Sequence, residues 1–130
     1  MTLIRTLGEV EEGKGWNNKV AILESNMTDE LETFLRIVFN EEVYDISKKS
    51  FINALSLNED KVKNYEHISD YLADRTGNKL ESVQTFQQFL DRLLNTSGNE
   101  SLQEIDRFFT GLPGLQAKWF CRAVLGDLRC

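Results

Sequence analysis

Three cations recur at helical spacing near the end of the chain, in the stretch AKWFCRAVLGDLRC: Lys118, Arg122 and Arg129. At about 100° per residue they fall within about 40° of one another on a helix. Trp119, Phe120, Cys121, Ala123, Val124 and Leu128 fill most of the remaining circumference. The spacing predicts a helix that buries a broad aromatic face and shows a narrow cationic stripe. Such a stripe can meet successive phosphates of a nucleic-acid backbone. It is also what a merely solvated face looks like, with Arg129 complementing the negative end of the helix. Asp127 falls on the apolar side, so the last turn is expected to be irregular.

A second group lies in the turn NTSGNES. A small glycine-containing loop that runs into a helix presents free backbone N–H groups, and the helix dipole favours an anion there. Ser97, Asn99 and Ser101 add side-chain donors around Gly98. The bland alternative is an ordinary capping box, since Ser97 and Glu100 have the S-x-x-E spacing.

Nothing in the chain has the pattern of a catalytic centre. There is no G-x-x-x-x-G-K-[ST] phosphate loop, no G-x-S-x-G elbow and no H-E-x-x-H. The single histidine, His67 in YEHISDY, is read as a structural residue. Cys121 and Cys130 are too few for a disulfide framework. Along one helix they would lie about 13 Å apart, beyond disulfide reach. Cys121 is read as a small buried hydrophobe.

A net charge of −6 argues against a strongly basic nucleic-acid binder. The distribution is uneven. Residues 1–78 carry 9 basic and 15 acidic side chains, whereas residues 79–130 carry 6 of each. An anion-binding face therefore belongs in the second part. The acidic first part supports an alternative function, an acidic helical module that binds a basic protein partner.

To hold these groups, 130 residues suffice for one domain with a core. No apolar run approaches the roughly 20 residues that span a bilayer. The N-terminus lacks a signal pattern, and a cytoplasmic location is expected. The dominant period is helical. Leu31, Phe34, Leu35, Val38 and Phe39 form one stripe; Val83, Phe86, Leu90, Leu93 and Leu94 another; Leu102, Ile105, Phe108 and Phe109 a third. Weaker stripes run through Leu3, Ile4, Leu7 and Val10, and through Val62, Tyr65, Ile68 and Leu72. The pattern predicts an all-α, single compact bundle of about six to eight helices. Breaks fall at Gly13–Gly15, 26–29, 75–78, 96–100 and 111–114, with Ser82 placed to cap a helix and Asn58-Glu59-Asp60 opening one with acidic residues that suit its dipole. The segment from Ser47 to Leu57 has no clear period.

The closing segment resembles the signature that ends the N-terminal DNA-binding domain of ATP-dependent DNA ligases, a K/R–aromatic–x–x–R helix followed by D-L-R/E-x-G. LLNTSGNESLQEIDRFFTGL is similar to the family's segment in which a T/S-G-N/S turn starts a helix. The spacing from Gly98 to Asp127 resembles that of the T-even bacteriophage ligases. NNKVAILESNMTDEL is similar to the phage second and third helices. Together these span nearly the whole chain.

The resemblance implies an all-α DNA-binding domain over residues 1–130, gripping the sugar-phosphate backbone of nicked duplex DNA across the minor groove. It would form one jaw of a clamp closed by the catalytic and OB-fold domains of the same ligase. It implies DNA contacts by Ser97, Gly98, Asn99, Lys118, Arg122 and Arg129, and by Lys19, which matches a family lysine. Lys14 is added for its position in the preceding loop. ATP and Mg2+ are expected for the full-length ligase and no cofactor for this chain, which lacks the K-x-D-G lysine motif. The chain is expected to be an excised, monomeric domain, in the host cytoplasm if from a phage. Glu100, Gln103 and Glu104 stand where eukaryotic relatives carry lysines, which weakens the expected grip.

Overall fold

The computed structural model describes residues 2–39 and 44–126. Nine helices and no strand occur among them: α1 (Thr2–Glu12), α2 (Trp16–Ser25), α3 (Asp29–Val38), α4 (Lys48–Ala54), α5 (Glu59–Val62), α6 (Ile68–Ala73), α7 (Val83–Leu94), α8 (Asn99–Phe109) and α9 (Gly114–Leu125). The all-α bundle is as the periodicity predicts. The count exceeds the expected six to eight for two reasons.

First, the unassigned stretch after Ser47 is a helix. Its first turn is held by a reciprocal box, in which Ser47 Oγ accepts from the Ser50 N–H and Ser50 Oγ accepts from the Ser47 N–H. One buried residue, Phe51, anchors it. Second, the stripe from Val62 to Leu72 is broken into α5 and α6. On one continuous helix Val62 and Ile68 would lie about 120° apart. The break around residues 63–67 lets both be buried. Tyr65 stabilises it, donating from its hydroxyl to Asp74 at 2.6 Å and packing edge-on against Tyr71.

Caps form in the expected 26–29 stretch and at Ser82: Thr28 accepts from the Leu31 N–H, and Ser82 shares a reciprocal box with Thr85. Asn58 also caps, accepting from the Asp60 and Lys61 N–H groups. The box expected between Ser97 and Glu100 does not form. Gly98 is the N-cap of α8 and supplies no side-chain acceptor.

Around α9 the molecule closes. This helix packs on α6, α1 and α3, while α7 packs on α8 and α3, and α4 on α8. The shared core is aromatic: Phe86 stacks on Phe120 with ring centres 4.4 Å apart, and Phe89 on Phe108 at 4.6 Å. Trp119, Phe120 and Cys121 are all buried. The irregular 75–82 segment is strapped down by Gln116, which donates to the Glu81 carbonyl and accepts from its N–H. Chain crossing there is close. A Cβ on Gly77 would sit 2.2 Å from the Gly111 carbonyl oxygen, and one on Gly114 2.1 Å from that of Ala73. No helix among the described residues is long and apolar enough to cross a membrane.

Candidate nucleic-acid interface

The cationic stripe on α9 is not exposed, which corrects the reading from spacing. Arg122 is only 4% exposed and its guanidinium is spread over three partners. Nε donates to Ser69 Oγ at 3.1 Å, one terminal nitrogen to Asp70 Oδ1 at 3.1 Å, and the other to Glu11 Oε2. Lys118 Nζ donates to the other oxygen of the same carboxylate, Glu11 Oε1, at 2.8 Å. Both cations lie over the Trp119 ring, 5.0 Å and 4.8 Å from its centre.

The cause is tertiary. The last turn of α1 and the first turn of α6 bring carboxylates to the stripe from more than 50 residues away. A charge this deep requires such pairing, because removal from water is otherwise prohibitive. Burial pushes the Glu11 carboxyl upward, but the hydrogen bonds and charges of Lys118 and Arg122 outweigh it and hold the group below its ordinary value. The third cation, Arg129, lies outside the described residues.

The loop of Ser97, Gly98 and Asn99 is laid out differently. Gly98 has φ 56° and ψ −129°, the first central position of a type II′ turn, which glycine adopts at least cost. The turn is closed by the Glu100 N–H, which donates to the Ser97 carbonyl at 3.2 Å, and no side chain caps the start of α8. Behind it, Thr96 and the buried Ser101 share a hydroxyl hydrogen bond of 3.0 Å that pins the loop to the first helical turn. Gly98 and Asn99 border a cleft of about 340 Å3, closed on the other side by Ser47, Lys49 and Ser50 at the start of α4 and by Asn53 near its end. Asp45, Ile46 and Leu102 also border it, so the cleft is part polar and part apolar, with Asp45 offsetting the charge of Lys49.

Lys49 and its neighbours are absent from the sequence-derived site because the segment has no readable period. The only local hint is Ser47 and Ser50 at capping spacing. Lys14 is exposed and Lys19 half-buried, on the turn and first turn before and within α2. The structure does not gather these lysines with the loop: no residue of α1 or α2 lines the α4–α8 cleft.

His67 is the extended residue before α6 and is half-buried beside Glu66. Cys121 is fully buried, and burial pushes its thiol far above the ordinary range, so it is an inert core side chain. Among the described residues no group of three or more His, Cys, Asp or Glu side chains is arranged to hold a metal ion. No protein-family model matches the chain, and no curated protein matches it at a significant level.

Proposed function

We propose that the chain binds the sugar-phosphate backbone of nicked duplex DNA without reading its sequence, as the DNA-binding domain of an ATP-dependent DNA ligase of the T-even bacteriophage type. One observation carries the reading: the start of α8, without a side-chain cap and with Gly98 and Asn99 exposed, borders a cleft that Lys49 also lines. It falls in the segment whose T/S-G-N turn resembles the ligase family. A phosphate there accepts from backbone N–H groups at the positive end of the helix, with Ser97 and Asn99 as added donors and Lys49 as counter-charge. Lys118 and Arg122 act through position: they clamp α1 and α6 to α9. On this reading ATP and Mg2+ belong to the catalytic domain, and the jaw performs no chemistry.

With Lys49 as the one basic residue lining the cleft and a net charge of −6, the grip is weak. Three to five phosphate contacts correspond to a salt slope of about −3 to −5. Tethering to the other ligase domains compensates by raising the local concentration.

Asn99→Asp separates folding from binding. A carboxylate in the first turn favours the helix dipole, so α8 is expected to be as stable or more so. The same carboxylate repels phosphate. Fluorescence anisotropy on a labelled nicked duplex near about 20 mM salt, where screening is weak, is expected to show binding that steepens with dilution. Asn99→Asp and Lys49→Glu should each weaken it several-fold. Equal affinity for wild type and both variants would remove the site. No binding by the wild type would remove the reading for the isolated domain.

A second reading has its own observation. A groove of about 630 Å3 between α1 and α9 is bordered by the exposed Leu80 and Leu115 and by Glu9 and Glu12. It suits an acidic module that docks a basic, partly apolar protein segment. Capture of such a partner by a chain that binds no DNA would favour it.

A further inference from the structure

The most exposed large apolar side chain of the described residues is Trp16, at 78%. It opens α2, a helix with no buried residue of its own. Among the described residues it has no ring neighbour, whereas their aromatic pairs sit in the core or join Tyr65 to Tyr71. Gly15, at φ 82°, delivers the chain into the helix through a backbone shape that side chains disfavour. The Asn18 side chain then ties the turn down, donating to the Lys14 carbonyl at 2.7 Å. The result is an indole presented on a fixed turn.

Its surroundings give the presentation a chemical meaning. Lys19 lies three residues after Trp16 on the same helix, which places the two on neighbouring positions of one face. Lys14 lies two residues before it, exposed. The ion pairs of the described residues engage neither lysine. A flat aromatic face flanked by two such cations is the arrangement that takes an unpaired nucleobase and its two phosphates: the base stacks and the charges follow the backbone. A buried protein partner would want more apolar area than one indole supplies, and the lysines would oppose its desolvation.

We infer that Trp16, Lys14 and Lys19 form a binding element for single-stranded nucleic acid, in which an unpaired base stacks on the indole. The element is separate from the α4–α8 cleft and stands or falls independently of the duplex reading, because its ligand is the unpaired strand.

The chain carries its own probe. Of its two tryptophans, Trp119 is buried at 1% exposure and Trp16 is open, so quenching by a stacked base reports on Trp16. Titration of the whole chain with a twelve-residue oligothymidylate near about 20 mM salt should quench the emission. Trp16→Ala should abolish the signal and weaken binding, followed by anisotropy of the labelled oligonucleotide, by about tenfold. Trp16→Phe should retain most of the affinity, and Lys14→Gln with Lys19→Gln should flatten the salt dependence. Because Trp16 makes no core contact, the alanine variant should keep the wild-type circular dichroism. Unquenched emission, equal affinity of Trp16→Ala and wild type, or equal quenching by the baseless polyanion polyphosphate would each overturn the inference.

Discussion

Replacing Glu11 by glutamine tests whether α9 is a binding surface or a clasp. The carboxylate accepts from two cations, one of them 4% exposed, and neither Glu9 nor Glu12 of the same turn pairs with them. Hydrogen bonds to charged groups each contribute about 1.5–3 kcal/mol. Glutamine keeps one acceptor oxygen but turns an amide toward a cation, so one of the two interactions is lost. Arg122 retains Asp70 and Ser69, which limits the damage below the full cost of stranding a buried charge. The expected loss at neutral pH is about 2–3 kcal/mol. For a domain between the usual size classes this lowers Tm by about 8–12 °C.

The pH dependence has a definite sign. Glu11 is held below the ordinary carboxylate value, so its stabilisation is fully present above that value and is lost as pH falls through the lower folded value. The gap between wild type and Glu11→Gln should therefore narrow as acid is added, because the wild type gives up the same charge. Thermal melts at 222 nm across pH 7 to 3 measure both effects. A neutral-pH difference under about 0.5 kcal/mol would refute the clasp, since that is the range of an exposed pair. So would a gap that stays constant to pH 3.

Other expectations follow from particular contacts. Gly114→Ala places a methyl group 2.1 Å from the Ala73 carbonyl oxygen, where only backbone movement can help, and should cost about 3 kcal/mol or more by urea titration. Gly98→Ala meets no atom but occupies a glycine backbone shape, so it should cost about 1–3 kcal/mol with no loss of core order by near-ultraviolet dichroism. Arg122→Lys keeps the charge but not the fork that reaches three partners, and should lower Tm while leaving DNA affinity of the folded protein unchanged. Cys121 should resist alkylation in the native chain and react only in denaturant, as peptide mass mapping would show.

The legible part of the fold is the part encoded locally. Stripes such as Val83, Phe86, Leu90 and Leu93 name their helix because four residues share one face, and all four are buried. Caps at Thr28, Asn58 and Ser82 are readable because acceptor and donor lie within three residues. The α5–α6 break was not readable, since no glycine or proline marks residues 63–67. Neither was α4, too short for a period at seven residues. The turn at Gly98 is visible in composition, but its shape depends on a dihedral pair that no neighbouring residue announces.

The misplaced stripe shows where local reasoning ends. A helical wheel locates Lys118 and Arg122 on one side of α9 correctly, but says nothing of what faces that side. Glu11 is 111 residues from Arg122 and Asp70 is 52, so their arrival is a property of the packed bundle alone. Energetics then decide the role. Breaking a buried pair by removing a partner costs about 3–5 kcal/mol. A surface phosphate contact returns only about the 0.2–1 kcal/mol of an exposed ion pair. DNA cannot draw Arg122 out of its clasp at that exchange. On the proposed reading, phosphate would therefore be met by groups that the fold leaves in water, and at the start of α8 those include the exposed side chains of Asn99 and Lys49.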